Sequence, residues 1–228
     1  MRSPVVRDME RDGVQIVFYN PVKPWHIHRP SGLFLRDHRK ILIVDSRIAH
    51  VGGVGIEERM RDWRDTHIRI EGLVVQDIEH AFYKMWGMAH KRRRLHFRKP
   101  ASTGEFQLVT NAPRFRQRFI YHALIRALAT AHRYVYLTAP YIVPSVRFLN
   151  ALRRARKRGV EVRIMMPEHS DVRTVDIAAG SYITLFLKWG VRVFRFGPQI
   201  LHAKTVVVDD GWAMAGSANL DNQSFVFN

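Results

Sequence analysis

The 228-residue sequence contains no cysteine, and it has few acidic side chains for its length. The missing thiol excludes disulfides, zinc–thiolate sites and a cysteine nucleophile. No apolar run approaches the ~18 residues needed to cross a bilayer, and the first residues lack the basic-then-apolar order of a signal peptide. Any membrane contact made by this segment is therefore expected to be peripheral.

The scarcity of acid leaves the chain strongly basic. Twenty Asp and Glu residues stand against 37 Lys and Arg residues, which gives a formal net charge of +17. A field of this sign concentrates anions, so it predicts either acidic phospholipid or nucleic acid as a partner, since both present phosphodiesters. Composition alone does not choose between them, and it also allows a basic domain without an anionic partner.

The chain contains an internal repeat. Residues 12–21 resemble residues 189–198, and each segment has the pattern of a glycine turn, a short strand and a proline stop. Residues 37–45 then match residues 201–209 without a gap. Two copies of one strand-rich unit predict two similar lobes.

The segments around the repeat predict an α/β fold. A basic and polar junction over 91–104 is the candidate boundary, which gives lobes over 1–99 and 100–228. Apolar periodicity predicts helices over 74–89, 115–132, 146–158 and 172–188, and strands over 134–138, 160–166 and 191–196. Only twelve residues precede the first glycine turn, whereas the second copy has much more chain before its own. The first lobe is therefore expected to be incomplete at its N-terminal side.

Each copy carries the same three polar residues at the same spacing, followed by glycine. They are His38, Lys40 and Asp45 with Gly52 and Gly53, and His202, Lys204 and Asp209 with Gly216 and Ser217. Residues two apart on a strand share a face, so each His is expected to project beside its Lys. An imidazole next to an ammonium suits a phosphate oxyanion beside a nucleophile or an acid.

These motifs resemble the paired signature of the phospholipase D superfamily. The segments that flank them resemble bacterial cardiolipin synthases, and they are 36–40, Gly52–Gly53, 63–67, 141–144 and 216–221 with Ser224 and Phe225. The resemblance implies a pseudo-twofold αβα sandwich of two repeated lobes. It also implies a phosphodiester transferase that works through a phosphohistidine and requires neither a metal nor another cofactor.

The resemblance also implies residue roles. His38 is expected to be the nucleophile and His202 the general acid. Lys40, Lys204 and Asn219 are expected to hold the non-bridging oxygens, and Asp45 and Asp209 complete the catalytic set. The phosphate-binding or orienting group is expected to comprise Gly52, Gly53, Gly216, Ser217 and Asp65.

The spacing of the repeat predicts which histidine Asp65 contacts. Each His needs a group that fixes its tautomer, and Asp65 lies as far beyond His38 as the residue after Asn228 would lie beyond His202. We therefore expect Asp65 to orient His38 and the residue after Asn228 to be acidic. A charge on the surface of a strand is an equally good interpretation of Asp65. Gly55 occupies the place of Asn219, so the first copy lacks that amide.

Three functions follow as alternatives. The first is a phosphatidyltransferase that makes cardiolipin from phosphatidylglycerol and a glycerol-bearing acceptor, peripheral on the cytoplasmic side of the cell membrane. The second is a hydrolase of the same superfamily, either a phospholipase or a nuclease, and the third is a non-catalytic basic module that binds membrane or nucleic acid. The basic helix face over 153–158 is typical of solvated charge but could also hold lipid head groups. The oligomeric state does not follow from the sequence.

Overall fold

The computed structural model describes residues 3–21, 37–90, 105–110, 119–170 and 173–219. Its elements in chain order are α1 (Pro4–Arg11), β1 (Lys40–Val44), β2 (Ile48–Gly52), a 3₁₀ turn (Glu58–Met60), β3 (His67–Glu71), α2 (Val74–Ala89), α3 (Phe119–Thr130), β4 (Tyr134–Thr138), α4 (Val146–Lys157), β5 (Glu161–Pro167), α5 (Arg173–Lys188), β6 (Arg192–Phe196), β7 (Thr205–Val208) and β8 (Trp212–Ala215). Within these ranges, no helix has both the length and the apolar character needed to cross a bilayer.

The first copy forms an antiparallel sheet of three strands in the order β1-β2-β3. Its register places Lys40 opposite Gly52, and Gly52 opposite His67. Helix α2 covers one face, where Val75 and Ile78 pack with Ala49 of β2 in a small buried core. This sheet therefore holds the start of β1, which carries the first motif, next to the glycine pair that ends β2.

The second copy forms a sheet of five strands in the order β6-β5-β4-β7-β8. Strands β4, β5 and β6 pair in parallel, whereas β7 pairs antiparallel with β4 and with β8. The main buried core lies against this sheet and includes Leu124, Leu128, Val135, Phe148, Leu152, Ile164 and Phe186. The predicted α/β class is confirmed, and the described ends of the predicted strands and helices in 119–196 agree with the structure to within two residues.

One predicted strand is not formed. Residues 14–18 lie outside every strand, and Val14 and Phe18 are partly exposed. Their repeat counterpart β6 pairs with the parallel strand β5. Within the described part of the first copy no strand corresponds to β5, and helix α1 precedes residues 14–18 instead. The N–H of Val14 donates to the carbonyl of Met9 (2.9 Å) and not to a neighbouring strand. The predicted lobe boundary over 91–104 lies outside the described residues.

The two motif aspartates lie in hairpin turns and not beside the motif histidines. Asp45 and Ser46 follow β1 with φ of 51° and 53°, and Asp209 and Asp210 follow β7 with φ of 52° and 58°. Aspartate tolerates this left-handed conformation better than most residues. Seven residues at about 3.3 Å each separate His202 from Asp209, roughly 20 Å along an extended chain. The prediction that Asp45 and Asp209 belong to the catalytic set is therefore corrected.

Asp209 instead anchors the connection between α3 and β4. Its carboxylate accepts hydrogen bonds from the backbone N–H groups of His132 (2.6 Å), Arg133 (2.8 Å) and Tyr134 (2.7 Å). Desolvation raises the pKa of this carboxyl, but the three N–H donors outweigh it, so the pKa lies below its ordinary value. The carboxylate thus joins the start of β4 to the β7–β8 turn.

We expect Asp209→Ala to lower the stability of the fold, because three backbone donors lose their acceptor. A loss on the order of 1 kcal/mol corresponds to a drop in Tm of roughly 2–4 °C for a chain of this length. Asp45→Ala is the matched control, because it removes an aspartate at the same φ from an exposed turn position. Differential scanning calorimetry measures both, and an equal drop in the two variants would contradict the anchoring role.

The pH dependence of this effect has a defined sign. Because the folded-state pKa of Asp209 is lowered, its stabilisation is fully present above the unfolded pKa of about 3.9 and is lost as the pH falls through the folded value. The difference in Tm between the original chain and Asp209→Ala should therefore shrink on acidification below about pH 4. A constant difference would contradict the assignment.

Candidate active site

The second motif begins beside a segment of the first lobe. The backbone N–H of Arg64 donates to the carbonyl of Ile200 (2.8 Å), and the carbonyl of Arg64 accepts from the N–H of His202 (2.7 Å). These bonds form a parallel bridge between Arg64 and Leu201. The segment before β3 and the segment before β7 are therefore held side by side.

This bridge places a carboxylate against the second histidine. Nδ1 of His202 lies 2.6 Å from Oδ2 of Asp65, across 137 residues of chain. Both side chains are largely buried, with 13% and 7% of their surface exposed. The other carboxylate oxygen, Oδ1, accepts from the N–H of Thr66 (2.7 Å). An ionised carboxylate only accepts hydrogen bonds, so Nδ1 carries the proton and Nε2 is left for chemistry.

The prediction that Asp65 orients His38 is therefore wrong. Repeat arithmetic assumed that each lobe supplies the partner of its own histidine. Because the backbone of Arg64 pairs with the strand entrance of the other copy, the next side chain contacts His202 and not His38. The structure instead places this carboxylate on the histidine of the other copy.

The glycine pair of the first copy makes room for this carboxylate. A Cβ on Gly53 would lie 2.3 Å from Oδ1 of Asp65, and a Cβ on Gly52 would lie 2.3 Å from the carbonyl oxygen of Thr66. The N–H of Gly53 also donates to that same carbonyl (3.0 Å). These glycines were predicted to bind phosphate or to orient the site, and their contacts support the orienting role.

The two motif lysines adopt the same arrangement in both copies. Nζ of Lys40 donates to the carbonyl of His38 (3.0 Å), and Nζ of Lys204 donates to the carbonyl of His202. Both pairs lie where a strand begins, since β1 starts at Lys40 and β7 starts just after Lys204. Lys204 is only 5% exposed. A buried ammonium beside an imidazole is a strong hydrogen-bond donor for an anionic oxygen.

The first motif lies a short chain of contacts from the second. Lys40 is opposite Gly52 across the β1–β2 ladder, and the Cβ of an alanine at Gly55 would lie 3.8 Å from Cε of Lys40. Gly53 in turn contacts the carboxylate that holds His202. Lys40 therefore lies beside the glycine pair that contacts the Asp65 carboxylate.

The loop after β8 brings a further predicted residue to the site. The N–H of Gly216 donates to the carbonyl of Lys204 (3.3 Å), and Ser217 and Asn219 follow in the same loop. Oδ1 of Asn219 is buried without a hydrogen-bond partner. Leaving a buried polar atom without a hydrogen bond costs about 1–3 kcal/mol of stability. Rotating the side-chain amide by half a turn exchanges the positions of its oxygen and nitrogen, so either an acceptor or a donor can occupy this position. A buried amide here can hydrogen-bond an anionic oxygen through its N–H groups.

Two aromatic residues next to His202 were not among the predicted site residues. The ring of Trp63 lies 5.2 Å from the His202 ring at 56°, and the ring of Tyr141 lies 6.4 Å away at 77°. Trp63 precedes Asp65 by two residues, which is the signal that could have identified it. Both rings pack against the imidazole and restrict its orientation.

The described residues contain no group of three or more His, Cys, Asp or Glu side chains that could hold a metal ion. The functional groups described at the site are imidazole, ammonium, carboxylate and amide groups. Asp45 and Asp209 lie outside it, as described above, and Asp221 lies outside the described residues.

Comparisons with known proteins identify relatives of the chain. A family described as cardiolipin synthase, phospholipase D-like domain, matches residues 124–228. A cardiolipin synthase of Clostridium perfringens is 34% identical over 85% of this chain and 44% of its own length. The major cardiolipin synthase of Bacillus subtilis is 33% identical over 100% of this chain and 50% of its own length. The chain thus spans about half the length of these curated relatives.

A solved structure supports the fold. The phosphatidylserine synthase of Haemophilus influenzae superimposes with a TM-score of 0.59 over 82% of this chain and 55% of that protein. The sequences are 12% identical, so this similarity concerns the fold alone.

We expect Asp65→Ala to release the His202 ring. Without the acceptor, the Nδ1-protonated tautomer of neutral His202 should fall several-fold in population, because no other carboxylate fixes it in the described site. ¹⁵N NMR of the imidazole at about pH 8 measures this population. Asp62→Ala is the control, since this exposed carboxylate lies in the same segment. An unchanged His202 spectrum in Asp65→Ala would contradict the assignment.

The glycine positions allow a second matched test. A methyl group at Gly53 overlaps the Asp65 carboxylate, whereas a methyl group at Gly216 meets nothing within 4 Å. We expect Gly53→Ala to lower the Tm by several degrees and to change the His202 tautomer signal. Gly216→Ala should leave both unchanged. Equal behaviour of the two variants would show that the close approach at Gly53 is not a constraint.

Proposed function

We propose that the chain is a member of the phospholipase D superfamily and supplies the active site of a phosphatidyltransferase, since it is similar to bacterial cardiolipin synthases. The reaction transfers a phosphatidyl group to a glycerol-bearing acceptor, which makes cardiolipin. The observation that carries this proposal is the His202–Asp65 pair beside the buried ammonium of Lys204. A positioned imidazole next to a buried cation is suited to an anionic phosphodiester.

In the first step, His38 attacks the phosphorus of the donor lipid. A P–N bond forms, the P–O bond to the leaving glycerol breaks, and Nε2 of His202 gives its proton to the departing alkoxide. Asp65 supports this role of His202, since a carboxylate on Nδ1 stabilises the imidazolium that must donate. His38 is exposed and so can approach the phosphorus of a bound lipid.

In the second step, the acceptor hydroxyl gives its proton back to His202 and attacks the phosphohistidine. The P–N bond breaks, and His38 is regenerated. Lys40, Lys204 and Asn219 would hold the non-bridging oxygens, where negative charge builds in both transition states. Water in place of the alcohol turns the same site into a hydrolase, so the acceptor decides between transfer and hydrolysis.

The partners follow from the charge and from the reaction. The substrate is an anionic phospholipid, with phosphatidylglycerol as the donor, and the net charge of +17 favours an anionic membrane surface. The site would work peripherally at the cytoplasmic face of the cell membrane, where the phosphate groups of the bilayer are within reach.

Product analysis tests the proposed reaction. The purified protein is incubated with phosphatidylglycerol vesicles, and the lipids are resolved by mass spectrometry. Cardiolipin supports transfer, whereas phosphatidic acid as the main product would show a hydrolase. Cleavage of DNA without any change in the lipids would show a nuclease.

We expect His38→Ala and His202→Ala each to lower kcat by roughly 10²–10⁴-fold, because each removes one partner in proton or phosphoryl transfer. His132→Ala is the control, because this exposed histidine lies at the start of β4, where its backbone bonds to Asp209. Activity that survives both motif variants would reduce the chain to a basic binding module.

The assignment of the two histidines is tested by trapping. A short incubation with phosphatidylglycerol is quenched in alkali, which preserves phosphohistidine, and the modified peptide is mapped by mass spectrometry. A phosphatidyl group on His38 is the expected result. A modification on His202 would reverse the two roles.

A further inference from the structure

A second basic surface lies between α3 and α4. A cavity of about 450 Å³ opens there, and its lining includes Ile125 and Ala129 of α3 and Val146, Arg147 and Arg154 of α4. This volume is within the range of roughly 300–1,000 Å³ that is typical of small-ligand sites. We call this cavity the α3–α4 groove.

The arginines of the groove form a single stripe. Arg147, Ala151, Arg154 and Arg158 follow one another at spacings of four, three and four residues, so they share one face of α4 and its C-terminal end. All three arginines are exposed, and the groove lining contains no acidic residue. The groove is therefore positively charged along its whole length.

The sequence has a broader basic face on this helix, over 153–158. In the structure the arginines of this face make different contacts. The guanidinium of Arg156 donates to the backbone carbonyls of Trp189 and Val160, and Arg153 lies over the ring of Trp189. These two side chains contact the rest of the fold, so we do not assign them to ligand binding. Of this basic face, the groove contains Arg154 and Arg158, together with Arg147.

The three arginines of the groove differ in their hydrogen bonds. Arg158 donates to the carbonyls of Leu128 (2.8 Å) and Ala131 (3.2 Å), so its charge is fixed at one end of the groove. The guanidinium groups of Arg147 and Arg154 make no hydrogen bond or ion pair with the described residues, and Asn150 lies between these two arginines on the same face. One fixed and two available guanidinium groups with a nearby amide are a suitable donor set for a phosphate.

The groove also has an apolar side, which narrows the choice of anion. Ile125, Ala129 and Ala151 line it, and Val146 at its edge is 74% exposed. A lipid presents a phosphate next to its acyl chains, so it matches both the charge and this apolar rim. The lining contains no aromatic side chain on which a nucleic acid base could stack.

We propose that the α3–α4 groove binds the phosphate head group of an anionic phospholipid in the bilayer and thereby docks the chain on the membrane. None of its lining residues is among those assigned to the phosphate transfer described above. The choice of a phospholipid as occupant rests on the proposed function.

Charge reversal in the groove tests the docking. Binding of the 228-residue chain to phosphatidylglycerol vesicles is measured by co-sedimentation, with phosphatidylcholine vesicles as the uncharged reference. We expect Arg147→Glu/Arg154→Glu to weaken binding to the anionic vesicles roughly tenfold or more. Arg7→Glu/Arg47→Glu removes the same charge from exposed positions outside the groove, and it should weaken binding less than about threefold. Equal losses in the two double variants would overturn the proposal.

A site-specific label makes the test independent of the charge reversals. Since the chain has no cysteine, Asn150→Cys and Arg47→Cys each introduce a single thiol for an environment-sensitive dye. We expect phosphatidylglycerol vesicles to shift the emission of the dye at position 150 and not at position 47. A shift at 150 that is reproduced by millimolar glycerol phosphate alone would show a soluble ligand, and one produced by duplex DNA but not by vesicles would show nucleic acid. Either result would overturn the docking proposal.

A soluble substrate separates this proposal from the proposed reaction. With short-chain phosphatidylglycerol below its micellar concentration, Arg147→Glu/Arg154→Glu should keep the activity of the original chain, whereas with vesicles its rate should fall in parallel with binding. Equal loss on both substrates would place these arginines in the reaction and overturn the docking role. If the original chain transfers no phosphatidyl group at all, the vesicle and dye measurements still decide whether the groove binds lipid.

Discussion

The hydrogen bond between Asp65 and His202 is the interaction on which the site depends. It connects a side chain that precedes β3 of the small sheet with one that precedes β7 of the large sheet. The backbone bridge at Arg64 fixes the spacing of the two segments, and the carboxylate then fixes the imidazole ring. The backbone bridge thus sets the relative position of the two segments. The carboxylate sets which ring nitrogen of the proposed catalytic histidine carries the proton.

The surrounding sequence is shaped by that contact. Gly52 and Gly53 lack side chains because the carbonyl of Thr66 and the carboxylate of Asp65 occupy the space where a Cβ would lie. Trp63 covers the ring of His202 from the same short segment. Each residue from 63 to 66 therefore makes a different contact. In order, they supply a ring beside His202, a backbone bridge to Leu201, the carboxylate on Nδ1 and a carbonyl close to Gly52. Changes to any of these should reach His202 without altering the histidine itself.

Local patterns in the sequence predicted most of the elements, because apolar periodicity is a local property. The strand at 134–138 and the helix at 74–89 were predicted with their observed bounds. The short strand predicted within residues 12–21 is not formed, because a strand requires a neighbouring strand, and local sequence carries no information about that neighbour. The partner of Asp65 failed for a related reason, since repeat spacing describes one lobe and the hydrogen bond crosses to the other. The role of Asp209 could not be predicted either, because its three backbone donors lie about 75 residues away.

The two copies, although alike in sequence, contribute different halves of the site. In the second copy Lys204 is buried, His202 is held by a carboxylate, and Asn219 offers a buried amide. In the first copy His38 is exposed, and Gly55 stands where that amide would be. A transferase must hold the phosphate rigidly, and it must also let one alcohol leave and another enter. A single set of side chains cannot easily be both rigid and accessible. Under the proposed function, the asymmetry resolves the conflict, because the second copy supplies the preorganised charge and the first supplies a nucleophile that incoming lipid can reach.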